Sequence, residues 1–463
     1  MFIPSIQMLQ PRQKAFIYFF FYSMFLLLLR SFLINSTLSY DEAEQIVFSQ
    51  TLSAGYPAQP PLYNWLQWLS FKTFAVNLFS LSLVKFSLIC AVLYVYHLIC
   101  RAYFPNSLLA WGATLSWALI PNISYDFLPH RTHVILALLV SAGTWYWFIK
   151  APPKRLLTWY VGLGILIGMG ILAKFNYLLF LCVLLTAGLT IEEYRRRIFT
   201  TYILISLIIA VLLSSPYWLW LLQHRELGLH ASYKLVIAGK GHFYGLLRLF
   251  EASLCFIGPL LAIKLFFPLS WQNASPTPEK QLLWRYHILL LPFLMVLVLF
   301  SGMNNVRTHW LVPLYFLYPL CLFSLIRIEK CSITVVKKYL FLCLAVQLAI
   351  ISSWMIRVPK LADFPLKTVV QDIKSRPVNP TVIVSDSHWL LGSLMLNLAV
   401  KEGILINFEP HVHLSGPVLA AWEGTTKSPW WLAGLNPGER DDKIVTRIHK
   451  NSAISRLSWL AEP

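Results

Sequence analysis

The chain has 463 residues, 57% of them hydrophobic and 13% charged, with a mean hydropathy of +0.62. Soluble domains carry about a quarter charged residues, so this composition excludes water as the main solvent. The formal charge of +18 is scattered through loops between apolar runs, where it sets membrane topology; it points to anionic lipid and no nucleic acid as partner.

Apolar runs recur from 15 to 356, and at roughly 20 residues per crossing they suggest about eleven spans. The first, 15–33, is too long for a signal-peptide core and lacks a small-residue cleavage site, so it is expected to remain as an anchor. With Arg12 and Lys14 inside, the basic loops at 150–155, 195–197 and 330–338 all fall on the cytoplasmic side. The segments 40–61, 125–133, 174–177, 225–242 and 304–309 then fall outside. The aromatic-rich stretch 60–72 suits a helix lying in the interface, with the true second crossing at about 78–100. Counting 60–72 as a crossing would turn every basic loop outward.

The last span, about 339–356, delivers a polar tail to the outer side. A short strand at 381–384 and a helix at 389–400 give that tail an α/β reading. The expected architecture is an all-α polytopic membrane domain, 1–356, with a smaller α/β domain, 357–463. Seven cysteines, all in or beside apolar spans and none in a close pair, support neither a disulfide framework nor a zinc site.

Most polar residues capable of chemistry collect in the outer segments. Ser39 and Glu42 have the spacing of a capping box, which explains part of the acidic cluster Asp41-Glu42-Ala43-Glu44 structurally. A carboxylate held at a membrane surface is also suited to act as a general base toward a sugar hydroxyl. Asp126 suits either a turn or a substrate contact. His130, His133 and His309, with Asp41 or Glu42, raise the possibility of a divalent metal ion, although no short-range ligand pair supports it.

The run Asp41-Glu42-Ala43-Glu44, then Ser49-Gln50, Gly55-Tyr56, Pro60-Pro61-Leu62 and Trp65-Leu66, resembles the first outer loop of bacterial glycosyltransferase family 39. That family belongs to the membrane-embedded GT-C class, with protein O-mannosyltransferases and the lipid A aminoarabinose transferase. Within it the pattern is most similar to the lipopolysaccharide core galacturonosyltransferases. Asp126 with Thr132-His133, Gly162-Leu163-Gly164-Ile165 leading to Ala173-Lys174-Phe175-Asn176, and Arg307-Thr308-His309-Trp310 with Pro313 follow in the family's order. Ser385-Asp386, Trp389-Leu390 and Gly392 extend a weaker match into the tail.

The resemblance implies a polyprenyl-phosphate sugar as donor, an envelope glycolipid or glycan as acceptor, and a bacterial inner-membrane location with site and tail facing the periplasm. It makes Asp41 the first candidate for catalytic base, with Glu42 and Glu44 beside it, and Tyr56, Gln59, Asp126, His133, Lys174, Arg307 and His309 candidates for substrate binding. Where many relatives have a lysine before the prolines, this chain has Ala58-Gln59. Gln59 cannot neutralise phosphate, which shifts weight to Lys174 and Arg307; the alternative for each cation is an interfacial snorkelling role. Two rivals stay open, a lipid transporter or flippase and a non-catalytic scaffold of the same fold.

Overall fold

The computed structural model describes residues 10–34, 38–150, 152, 155–269, 277–326, 332–361, 366–375, 379–407, 417–422, 429–433, 440–446 and 454–460. Lys154, Lys330 and Cys331 lie outside these residues. Among the described residues seven helices are long and apolar enough to cross a membrane: Pro11–Leu33, Leu78–Tyr103, Leu156–Ala173, Ile203–Gln223, His242–Phe266, Pro278–Ser301 and Ile333–Ile356. The chain is an integral membrane protein. Four shorter apolar helices, Ser107–Leu119, His133–Ile149, Asn176–Leu189 and Val312–Phe323, lie between them, and the expected eleven is reached only if these also cross. Two are short because their helical geometry breaks: Ser107–Leu115 tightens into a 3₁₀ turn at Ser116–Leu119, and Val312–Tyr315 is separated from Tyr318–Phe323.

The amphipathic stretch behind Pro60-Pro61 is a 13-residue helix, Leu62–Phe74. At 1.5 Å per residue it is about 20 Å long, short of the roughly 30 Å hydrocarbon core. Ala75, at φ 59°, turns the chain into the 26-residue helix Leu78–Tyr103. The helices Leu156–Ala173 and Ile203–Gln223 lie backbone to backbone: a β-carbon on Gly164 would sit 2.7 Å from the Ser206 carbonyl oxygen. That contact gives Gly164 a packing reason, because small residues let helices approach where lipid supplies no hydrophobic drive, while Gly162 makes room for the Trp147 ring.

The tail forms a five-stranded sheet: β1 (Val382–Ser385), β2 (Glu402–Leu405), β3 (Val418–Trp422), β4 (Arg440–Thr446) and β5 (Ile454–Leu460), in the order β2-β1-β3-β5-β4. The first three strands are parallel and the last two add antiparallel. Between β1 and β2 runs the helix His388–Leu398. It docks on the short acidic helix Tyr40–Phe48. A β-carbon on Gly392 would lie 2.6 Å from the Ala43 carbonyl oxygen, and the Trp389 indole donates to the Leu38 carbonyl at 2.8 Å. Leu38, Ala43, Ile46 and Val47 share one apolar cluster with Leu390, Leu394 and the sheet residue Leu419, so the tail packs directly over the acidic segment.

Candidate active site

The acidic helix Tyr40–Phe48 starts where Ser39 caps it. The Ser39 hydroxyl accepts from the Glu42 amide at 3.3 Å, and the Glu42 carboxylate accepts from the Ser39 amide at 3.0 Å. The box that the sequence spacing suggests is present. Glu42 does more than cap. Its carboxylate takes two hydrogen bonds from Arg30, at 3.2 and 3.0 Å, and lies 3.7 Å from Lys85, with all three side chains buried. Burial alone would raise the Glu42 carboxyl, but Arg30, Lys85 and the hydrogen bonds from Arg30 and Ser39 outweigh it and hold it down at about 2. Both oxygens are engaged, and Glu42 faces two cations buried inside the protein.

Asp41, one residue earlier on the helix, points elsewhere. Its Oδ2 accepts from the Arg131 amide at 3.0 Å. Arg131 stands at φ 59°, a conformation that costs a non-glycine residue energy and persists where surroundings enforce it. The Arg131 guanidinium pairs with Asp126 at 3.2 Å, and its Nε is buried with no hydrogen-bond partner among the described residues. Asp126 thus has a partner from its own turn, where the His130 amide also donates to its carbonyl at 3.0 Å.

Glu44 is half-buried. Burial, then the charge of Asp41, pushes its carboxyl up to about 7 against the pull of Lys234 and Lys174. Burial likewise brings the Lys174 ammonium down to about 8, opposed by Asp41 and Glu44. His309 is held at about 2, first by burial and then by Arg131, Lys174, Arg307 and Lys234. Two carboxylates, four cations and a neutral imidazole therefore share one electrostatic neighbourhood. They come from five separate stretches of chain, the ones that the charge count groups together as outer loops.

Hydrogen bonds tie those stretches into place. Asn176 donates to the Trp310 carbonyl at 2.8 Å, which joins the Lys174 turn to the Arg307–Trp310 segment. Buried Asn304 clamps the loop after Lys234: its side chain accepts from the Ile237 amide at 2.6 Å and donates to the Ile237 and Lys240 carbonyls at 3.1 and 2.7 Å. Asn305 donates to the Lys234 carbonyl itself at 2.8 Å. Arg307 is exposed and lies over the Trp310 ring.

Other expected site residues are occupied by the fold. His133 is buried and shares a polar network with Gln45, Asn64 and Ser49, the Gln45–His133 contact being 3.3 Å. Tyr56 is buried, its hydroxyl donating to the Thr51 carbonyl at 2.6 Å and accepting from the Ser53 amide at 3.0 Å. Gln59 is half-buried beside it, paired to Tyr56 through an isolated bridge. Among the described residues no three His, Cys, Asp or Glu side chains gather as a metal-binding group. His133 turns one ring nitrogen to Gln45, its Nδ1 being buried without a hydrogen-bond partner among the described residues, and His309 stands among cations that oppose a further positive charge.

Sequence reasoning does not single out Lys234, Arg131 or Asn304, and it reads Asp386-Ser387-His388 as a strand end that could contact acceptor. His388 opens the tail helix and lies near Lys234 and His230, which, after burial, hold its imidazole down at about 4. Lys234 is visible in the sequence only as one charge in a long outer segment, and the importance of Arg131 lies in its amide, which has no side-chain signature.

A family model described as dolichyl-phosphate-mannose-protein mannosyltransferase matches residues 58–220. The chain is 30% identical over 308 residues to the lipopolysaccharide core galacturonosyltransferase RgtB of Rhizobium johnstonii, a match covering 65% of this chain and 62% of that relative's length. It is 25% identical over 415 residues to RgtA of the same organism, covering 84% of this chain and 82% of the relative. Among solved structures, ArnT from Cupriavidus metallidurans resembles it with a TM-score of 0.60 when bound to undecaprenyl phosphate, over 95% of this chain and 97% of that one, and 0.62 in the apo state, over 97% and 98%. Identity to both is 11%, so this likeness is one of fold.

Proposed function

Because the chain is a glycosyltransferase family 39-like protein of the membrane-embedded GT-C class, we propose that it transfers a sugar from a polyprenyl-phosphate donor to a hydroxyl of an envelope acceptor such as lipid A, lipopolysaccharide core or another glycan. The observation that carries this reading is the Asp41 carboxylate held by the Arg131 amide, in a neighbourhood where Lys174 and Lys234 act on Glu44 and, with Arg131 and Arg307, on His309. A carboxylate base and a cluster of cations are the two parts that a displacement from a phosphate-linked sugar needs. The galacturonosyltransferase relatives and an ArnT structure bound to undecaprenyl phosphate support the choice of acceptor and donor class.

In the proposed reaction the Arg131 amide fixes one oxygen of Asp41, and the carboxylate takes the proton of the acceptor hydroxyl. The freed oxygen attacks the anomeric carbon, the bond from that carbon to the phosphate oxygen breaks, and polyprenyl phosphate leaves with the electron pair. Lys174, Lys234 and Arg307 receive its negative charge, which compensates for the lysine that Gln59 replaces. A single displacement inverts the anomeric configuration. Glu44 belongs to the same cluster, where its proton tunes the net charge that the phosphate meets. Glu42 serves the reaction indirectly, by anchoring the helix that carries Asp41. The site and the 357–463 tail face the periplasm in this reading, with the protein in the inner membrane and 1–356 as the transferase domain.

A transporter would use Lys85 as a free intramembrane charge. Lys85 is instead held by Glu42 and by the Leu128 carbonyl, at 2.7 Å, which disfavours that rival.

The test is sugar transfer in membranes supplied with polyprenyl-phosphate-linked donors, read by the mass of envelope glycolipids. Asp41→Asn should lower transfer by about 10²- to 10⁴-fold while leaving the protein folded. Unchanged transfer removes the base assignment. No transfer by the wild type from any lipid-linked donor favours the scaffold.

A further inference from the structure

Between the helices Pro11–Leu28, Leu78–Tyr103, Ser107–Leu115 and Ile333–Leu361 lies an apolar cavity of about 310 Å³. Its wall includes Tyr18, Ile89, Trp111, Ala118, Phe127 and Leu344. We infer that it is a binding slot for one acyl chain of a membrane phospholipid, separate from the cation cluster at Asp41 and Lys174.

Three observations carry this. First, most of the wall is hydrocarbon, and several of its polar side chains are engaged: Thr114 donates to the Ala110 carbonyl at 2.7 Å, Ser124 to the Ile120 carbonyl at 2.9 Å, and Gln347 to the Tyr22 hydroxyl at 2.9 Å. A cavity with few free polar partners favours hydrocarbon over ordered water. Second, Tyr18 and Leu344, which belong to membrane-spanning helices, are half exposed on the outer surface of the protein, so the slot opens toward bilayer hydrocarbon. Third, if a methylene takes about the space of a liquid water, roughly 30 Å³, the slot holds on the order of ten carbons. That volume takes the end of a single chain, and because the slot opens onto a bilayer whose hydrocarbon is mostly acyl chain, an acyl chain is the occupant it meets.

The slot also has a route to the site. Phe127 and Leu128 belong to its wall, and the Leu128 carbonyl receives Lys85, the partner of Glu42. The same short turn continues to Arg131, whose amide holds Asp41. An acyl chain in the slot thus supports the loop on which the base rests.

The experiment uses the full chain in phospholipid vesicles with two photoreactive probes, a palmitoyl phosphatidylethanolamine and a polyprenyl phosphate, each carrying a diazirine along its chain. The acyl probe is expected to label peptides containing Trp111 and Leu344, with loss of labelling when unlabelled palmitoyl lipid competes in the wild type. Ala118→Trp, which fills the slot, should lose the same labelling while labelling by the polyprenyl probe elsewhere persists. Labelling of these peptides by the polyprenyl probe in place of the acyl probe, by neither, or without competition overturns the inference. The competition arm holds even if Ala118→Trp fails to fold.

Discussion

Glu42→Gln separates a structural acid from a chemical one. The substitution keeps the size of the side chain and a group able to accept from the Ser39 amide, but it removes the anion held between buried Arg30 and Lys85. Breaking a buried ion pair by removing one partner costs about 3–5 kcal/mol, and at roughly 1.4 kcal/mol per decade the folded-to-unfolded ratio should fall by about two to three and a half powers of ten. Denaturant or thermal unfolding of the purified protein in detergent would show this as an early transition. Replacing all three groups, as Arg30→Met with Glu42→Gln and Lys85→Met, should recover most of the loss, because no uncompensated charge is left inside. A Glu42→Gln protein with wild-type unfolding and abolished transfer would refute the reasoning and make Glu42 a participant in the reaction.

Glu44 has a raised carboxyl, about 7 against 4.5 in the unfolded chain, so its contribution to stability is full below about pH 4.5 and is lost as pH rises through about 7. Glu44→Gln should flatten that decline in a series of unfolding measurements across the interval. Lys234→Met should lower transfer by about 10²-fold if its ammonium receives the departing phosphate, with unfolding unchanged. Asn304→Ala removes the three hydrogen bonds that hold the loop after Lys234; it should reproduce that loss and open residues 235–241 to protease, a readout that Lys234→Met leaves unmoved. Gly392→Ala forces a methyl group against the Ala43 backbone and should cost about 1–3 kcal/mol of stability, measured by unfolding, because neither the acidic helix nor the tail helix has room to yield.

Much of this architecture is legible in the order of residues along the chain. Apolar run length announces the membrane spans, and the charge bias groups five segments whose charged residues do influence one another in the fold. Ser39 and Glu42 announce their capping box by spacing, because capping is a local interaction three residues long. The strand and helix expected in the tail lie within a few residues of β1 and His388–Leu398. The number of crossings is less legible, since short helices broken by 3₁₀ turns leave the same apolar record as full spans.

What the chain order cannot express is which neighbours the fold brings to each acid. Asp41, Glu42 and Glu44 lie within four residues of one another, yet helical rotation sends Glu42 inward to Arg30 and Lys85 and leaves Asp41 beside Arg131, with Glu44 near Lys174 and Lys234. Composition and local pattern determined the membrane class and the acidic helix itself, because solvent transfer and capping act along the sequence. The division of labour among the acids was decided only by tertiary structure, because electrostatic partners are chosen by distance in space, and these come from 12 to about 190 residues away.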